Sequence, residues 1–114
     1  MCRLDSEEEI IICSAIWYKE IILKKPEVLK PRGFRPYNVD MGIVFSGWRH
    51  PNCLYQMVAI TGLRQCEAGV EIQGFLTNKN RFVDRYEGAK IALHALQIDY
   101  LKYSNDELYS EDLY

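Results

Sequence analysis

The chain has no C-x-x-C pair: its four cysteines, Cys2, Cys13, Cys53 and Cys66, stand apart, which excludes a zinc ribbon and a thioredoxin-type redox motif. It also lacks an apolar run long enough to cross a bilayer. The longest, Ile10 to Tyr18, is interrupted by Ser14 and falls well short of the roughly 20 residues that a span requires. Because that run follows acidic residues and not basic ones, it does not read as a secretory leader. The expectation is a cytoplasmic chain with reduced thiols. There is no basic excess either: 14 Lys and Arg stand against 16 Asp and Glu, a net charge of −2 with a pI near 5.7. This argues against a protein that coats duplex nucleic acid, where affinity comes from neutralising phosphates. No internal repeat and no low-complexity segment is present.

What remains is an ordinary soluble composition. The 114 residues are 48% apolar and 26% charged, enough for one domain over 1–114 with a modest core and too few for two. The charge is unevenly spread: residues 1–9 carry a net −3, residues 99–114 a net −4, and the stretch between them a net +5. A basic middle between acidic ends permits a local pocket for a small anion, although random clustering on a solvated surface would look the same.

The β-branched and aromatic run from Glu9 to Tyr18 reads as a strand, apolar at nearly every position and so covered on both faces. Prolines 26, 31 and 36 with Gly33 and five basic residues make 24–38 a proline-rich basic loop. A second strand is expected over Met41–Ser46, closed by Gly47. Pro51 suits the first turn of a helix that buries Leu54, Met57, Val58 and Thr61 and stops at Gly62. One short strand, Val70 to Leu76, interrupts an irregular stretch. Asp84 and Glu87 form a capping-box pattern ahead of a helix over 85–97 that buries Ala89, Ala92, Leu93 and Leu96, with His94 half-buried. Ser104 and Glu107 repeat the pattern before a short terminal helix carrying Leu108, Tyr109 and Leu113. Trp17, Tyr18 and Trp48 read as core. Strands first and helices later predict an α+β fold: a small antiparallel β-sheet with two main helices packed on one face.

Two blocks could carry function. In Gly47-Trp-Arg-His-Pro-Asn-Cys53, Arg49 and His50 sit at a helix mouth, where free N–H groups and the helix dipole favour an anion. His50 with Cys53 is open to three readings: metal ligands one turn apart, a general acid or base, or a hydrogen-bonding residue beside Arg49. No partner pair for a metal and no nucleophile or carboxylate partner for catalysis is visible nearby. The second block is Gln73-Gly-Phe-Leu-Thr-Asn-Lys-Asn-Arg-Phe-Val-Asp-Arg85. Its arginines, Arg81 and Arg85, have the fork geometry that matches phosphate oxygens. Asn78 adds an amide, while Phe75 and Phe82 offer flat faces to a base. The competing reading makes Phe75 and Phe82 core, Asp84 a cap and Arg85 a surface ion pair. The late tyrosines Tyr100, Tyr103, Tyr109 and Tyr114 suit either a surface or a subunit contact.

These two blocks, the Ala/Ile-rich helix after them and the closing Ser110-Glu-Asp-Leu-Tyr114 resemble small phage proteins of the Thoeris anti-defence protein 1 family. The resemblance covers about half the chain and is strongest over 73–97. It implies a sheet-and-two-helix protein that performs no chemistry and needs no cofactor or metal. Such a protein would act in the cytoplasm of an infected bacterium as a sponge. It would bind and sequester, without cleaving, the cyclic ADP-ribose-type immune signals (gcADPR among them) made by TIR-domain proteins of Thoeris defence. Cyclic oligonucleotide (CBASS) signals could be held at separate sites. The resemblance also implies homodimers that can build hexamers, with ligand at subunit contacts and no membrane or duplex nucleic-acid partner. Carried over, Arg81 and Arg85 would hold the signal's phosphates, with Arg49, His50, Asn78, Phe75 and Phe82 near them. Two alternatives stand beside this reading: a small nucleotide phosphoesterase or glycosidase using His50, and a structural phage accessory protein.

Overall fold

The computed structural model describes residues 8–25 and 35–114. The acidic opening with Cys2, and the central part of the 24–38 loop with Pro26, Pro31 and Gly33, lie outside the described residues.

Strand β1, Ile11–Tyr18, is the apolar run expected from the sequence. It is central because its covered faces suit an interior strand. β2 (Ile43–Gly47) pairs on one side of it and β3 (Glu71–Thr77) on the other, with β4 (Phe82–Asp84) beyond β3. The order is β2-β1-β3-β4 and every pairing is antiparallel. Three helices follow or interleave: α1 (His50–Thr61), α2 (Arg85–His94) and α3 (Ser110–Leu113).

Side chains alternate across the sheet, and the two faces are covered differently. On one, Ile16 and Tyr18 of β1 meet Phe45, Cys53 and Met57 beneath α1, while Phe75, in register with Ser14, packs with Val83, Ala89, Ala92 and Leu108 beneath α2. On the other, Val39 covers Ala15 and Phe82, flanked by Trp17, Val44, Ile72 and Leu76. The α+β class with both main helices on one face is therefore as expected, and the opposite face is closed by loop instead of helix.

The departures are local. β4 carries no strand signal of its own, since three residues are too few for alternation; its outer edge is satisfied by the Asn38 amide, which donates to the Phe82 carbonyl (2.7 Å) and accepts from the Phe82 N–H (2.9 Å). α2 ends at His94, short of 97, because Leu96 adopts φ +61° and the Gln97 N–H closes onto the Ala92 carbonyl, a left-handed helix stop. Leu96 is consequently 83% exposed, not buried, and His94 is exposed in the last turn, not half-buried. The buried stripe of α1 is Cys53 and Met57, with Val58 turned outward. Ser104 accepts from the Glu107 N–H (3.1 Å) but closes only a turn. α3 starts later, capped by Asp112 accepting from the Tyr109 N–H (3.0 Å), so Leu108 and Tyr109 precede it. Trp48 is exposed and stacks on Tyr114 with ring centres 4.5 Å apart.

Candidate functional site: a guanidinium cleft at the end of β4

β4 pairs only with Gly74–Leu76 of β3. Past Asp84 the chain turns into α2, and the side of β3 around Gln73 and Gly74 is left to other partners. Asp84 makes the turn by accepting from the Glu87 N–H at 2.8 Å. The cap is half of the expected box, because the Glu87 carboxylate goes to Arg81 instead (3.0 Å). Gly74 must be glycine here: a Cβ would lie 2.0 Å from the Val83 carbonyl oxygen.

Arg85 occupies the gap. Its Nη1 donates to the Leu108 carbonyl (2.8 Å), its Nη2 donates to the Gln73 side-chain carbonyl and, at 3.4 Å, faces His50 Nδ1. The guanidinium also lies over the Tyr109 ring, 4.4 Å from its centre. All of these partners are neutral, and no carboxylate pairs with Arg85 among the described residues. Of the five N–H donors of a guanidinium, these contacts engage three.

His50 is buried at the first residue of α1, 6% exposed. Its Nε2 lies 2.8 Å from the Gly74 carbonyl oxygen and its ring meets Phe75 edge-on. A carbonyl only accepts, so Nε2 carries the hydrogen and Nδ1 keeps a lone pair toward Arg85. Burial pushes the imidazole below the ordinary histidine range; the Gly74 bond opposes this, and the Arg85 charge adds to it.

Between α1 and the 109–111 segment these groups line a cleft of about 380 Å³, with His50, Gln73, Arg85, Tyr55, Tyr109 and Glu111 around it and Ile16 and Leu54 among its apolar walls. That volume lies within the range of small-molecule sites.

The remaining candidates lie elsewhere. Arg81 donates through Nε and Nη2 to both oxygens of Glu9 (2.8 and 2.9 Å) and through Nη2 to Glu87. Its charge is answered by two carboxylates, and the pairing holds the Glu9 carboxyl below its usual range, against the effect of burial. Asn78 works as a strand mimic: its side chain accepts from the Ile10 N–H (2.9 Å) and donates to the Glu8 carbonyl (2.9 Å). Phe75 and Phe82 are core residues on opposite faces of the sheet, 0% and 6% exposed. Arg49 turns to the chain's end, pairing with Glu111 at 3.2 Å and donating to the Tyr114 backbone oxygen. Cys53 is buried, its thiol pushed up to about 12 by burial. Among the described residues no group of three or more His, Cys, Asp or Glu could hold a metal, and no helix is long and apolar enough to cross a membrane.

The structure thus brings together Arg85 and His50, one from each block, and adds Gln73, Tyr55, Tyr109 and Glu111. Tyr109 carried a signal in the sequence only as one of several late tyrosines. The peptide carbonyl of Leu108 carries none, because a backbone acceptor has no residue-type signature. No curated protein and no solved structure matches the chain. A family model described as Phage T4 y16D protein matches residues 10–114, which spans both blocks and every residue of the cleft. The chain belongs to this phage protein family.

Proposed function

We propose that the protein binds an anionic nucleotide at the Arg85 cleft and holds it without reaction. On the resemblance to Thoeris anti-defence proteins, the ligand is a cyclic ADP-ribose-type signal whose sequestration silences a host defence during infection. The observation that carries this reading is the state of Arg85. A partly buried guanidinium held only by neutral acceptors keeps its full charge for an incoming phosphate, and the partners that fix it preorganise the fork. Arg81 differs, since a phosphate there would have to displace two carboxylates. The phosphate grip therefore rests on Arg85, and stacking falls to the exposed Tyr55 at the cleft instead of to the buried Phe75 and Phe82. A second copy seated on the outer face of α1, a helix without a charged residue that exposes Tyr55, Val58 and Ile60, would close the open side.

Binding without cleavage fits the histidine. His50 has Nε2 committed to the Gly74 carbonyl and Nδ1 facing a cation, and no hydroxyl, thiol or carboxylate is hydrogen-bonded to its ring among the described residues. The test is incubation with a cyclic ADP-ribose isomer followed by denaturation and analysis of the released nucleotide. Saturable binding with intact ligand, weakened in Arg85→Lys, is expected. A cleaved product identifies an enzyme, and the absence of binding favours a structural accessory protein.

A further inference from the structure

We infer that His50 is the proton-gated half of the anion site: an anion seated on Arg85 draws a proton onto His50 Nδ1, so binding is coupled to proton uptake. This rests on the anion reading of the cleft and specifies how pH regulates it.

The geometry leaves one place for a proton. Nε2 is fixed as a donor by the Gly74 carbonyl at 2.8 Å, so the ring cannot change tautomer without breaking that bond. Nδ1 faces Arg85 Nη2 at the edge of the cleft that both residues line, and the 3.4 Å separation makes this the longest of the Arg85 hydrogen-bond contacts and the easiest to release. The charged and titratable surroundings are few. From β3 comes Glu71, already accepting from the Tyr18 hydroxyl (3.2 Å), Gln65 (3.1 Å) and Gln73 (2.9 Å). From the closing segment come Tyr109, stacked on Arg85, and Glu111, paired with Arg49. From α1 itself come Arg49, turned toward that segment, Tyr55, exposed at the cleft, and the buried Cys53, whose thiol lies against the Ser14 and Arg49 carbonyls. No carboxylate is in hydrogen-bond contact with the ring among the described residues; the charge that touches it is Arg85.

The sign follows. Without a ligand, burial and the neighbouring guanidinium both disfavour imidazolium. A phosphate that accepts from Arg85 cancels the guanidinium field at Nδ1, supplies an acceptor for a new N–H, and so raises the proton affinity of the ring. Proton uptake on binding means that affinity rises as pH falls through the interval between the free and liganded titration points, and is flat outside it. Arg85 then gives charge and direction at any pH, and His50 adds a second cation only when an anion is present.

A cyclic ADP-ribose isomer is a suitable probe, because its pyrophosphate keeps its charge across the interval. Calorimetric titration near pH 6.5 in two buffers of different ionisation heat should give different apparent enthalpies, the difference reporting protons taken up. Affinity should tighten as pH is lowered from about 8 through the histidine range, a gain of about tenfold in all corresponding to an upward move of the His50 titration by one pKa unit. By NMR, ligand should move the His50 titration upward. His50→Gln, whose amide can still donate to Gly74, should lose the pH dependence whatever its absolute affinity. Buffer-independent enthalpy with an affinity flat in pH would overturn the inference and leave the anion site standing. No binding at any pH would overturn the anion site itself.

Discussion

Arg85→Ala should destabilise the fold as well as weaken any ligand, and the size follows from what the side chain holds. The guanidinium joins three parts of the chain: β3 through Gln73, the start of α1 through His50, and the closing segment through the Leu108 carbonyl and the Tyr109 ring. Hydrogen bonds to a charged donor contribute about 1.5–3 kcal/mol, and a partly desolvated cation over an aromatic ring about 1 kcal/mol. The terms overlap, and water can reach part of the site, so the expected loss is about 3 kcal/mol and not their sum. The Leu108 N–H bond to the Arg85 carbonyl (2.9 Å) survives the substitution, so the closing segment loosens without leaving. Urea unfolding followed through Trp17 and Trp48 measures the loss. Arg85→Lys, with charge but no fork, should lose about 2 kcal/mol. A double-mutant cycle with Tyr109→Ala should show coupling of about 1 kcal/mol. If Arg85→Ala unfolds within about 0.5 kcal/mol of the unaltered chain, as surface substitutions do, the clamp reasoning is refuted and Arg85 is a surface arginine.

Leu96→Gly should stabilise: the residue is 83% exposed at φ +61°, so relief of left-handed strain outweighs added chain entropy and a gain of about 0.5–1 kcal/mol is expected in thermal melts. Gly74→Ala should lose about 3 kcal/mol, because its Cβ meets backbone at 2.0 Å, which cannot yield as a side chain would; a melt like that of the unaltered protein would show the strand pair to be looser than described. Glu9→Gln should lose about 1 kcal/mol at neutral pH and flatten the acid limb of stability. The Arg81 pairing holds the Glu9 carboxyl low in the folded chain, so its contribution is complete above the unfolded carboxylate value of about 4.3 and disappears as pH falls through the lower folded value; an unchanged acid limb in the variant removes the pair from the stability account.

The fold was largely legible in the sequence, and the reasons are local. The run before Tyr18, the Pro51 start and Gly62 stop of α1, and the Asp84 cap of α2 are signals that neighbouring residues can satisfy among themselves. What escaped depends on distant partners. β4 is a strand only because β3 and Asn38 supply its hydrogen bonds. The end of α2 is set by a leucine in a conformation that glycine usually takes. Cys53 offered a thiol at one-turn spacing from His50, and its position under β1 makes it core.

The two arginines of the second block show the same limit at the site. Four positions apart and flanked by similar residues, Arg81 and Arg85 are equivalent phosphate donors in a one-dimensional reading. The fold separates them by counter-charge. Arg81 leaves the β3–β4 turn toward Glu9 and Glu87, carboxylates drawn from 72 positions away and from the first turn of α2. Arg85 turns under the closing segment, where the acceptors are a peptide carbonyl, an amide and an imidazole. An anion gains less from a guanidinium already paired with two carboxylates than from one paired with none, since the former must first lose its ion pairs. Whether an arginine can serve a ligand is therefore decided by the charge of the groups that hold it. In this chain the neutral clamp around Arg85 fixes the closing segment to the sheet and leaves the guanidinium without an ion pair of its own, beside a cleft whose lining carboxylate, Glu111, is paired with Arg49.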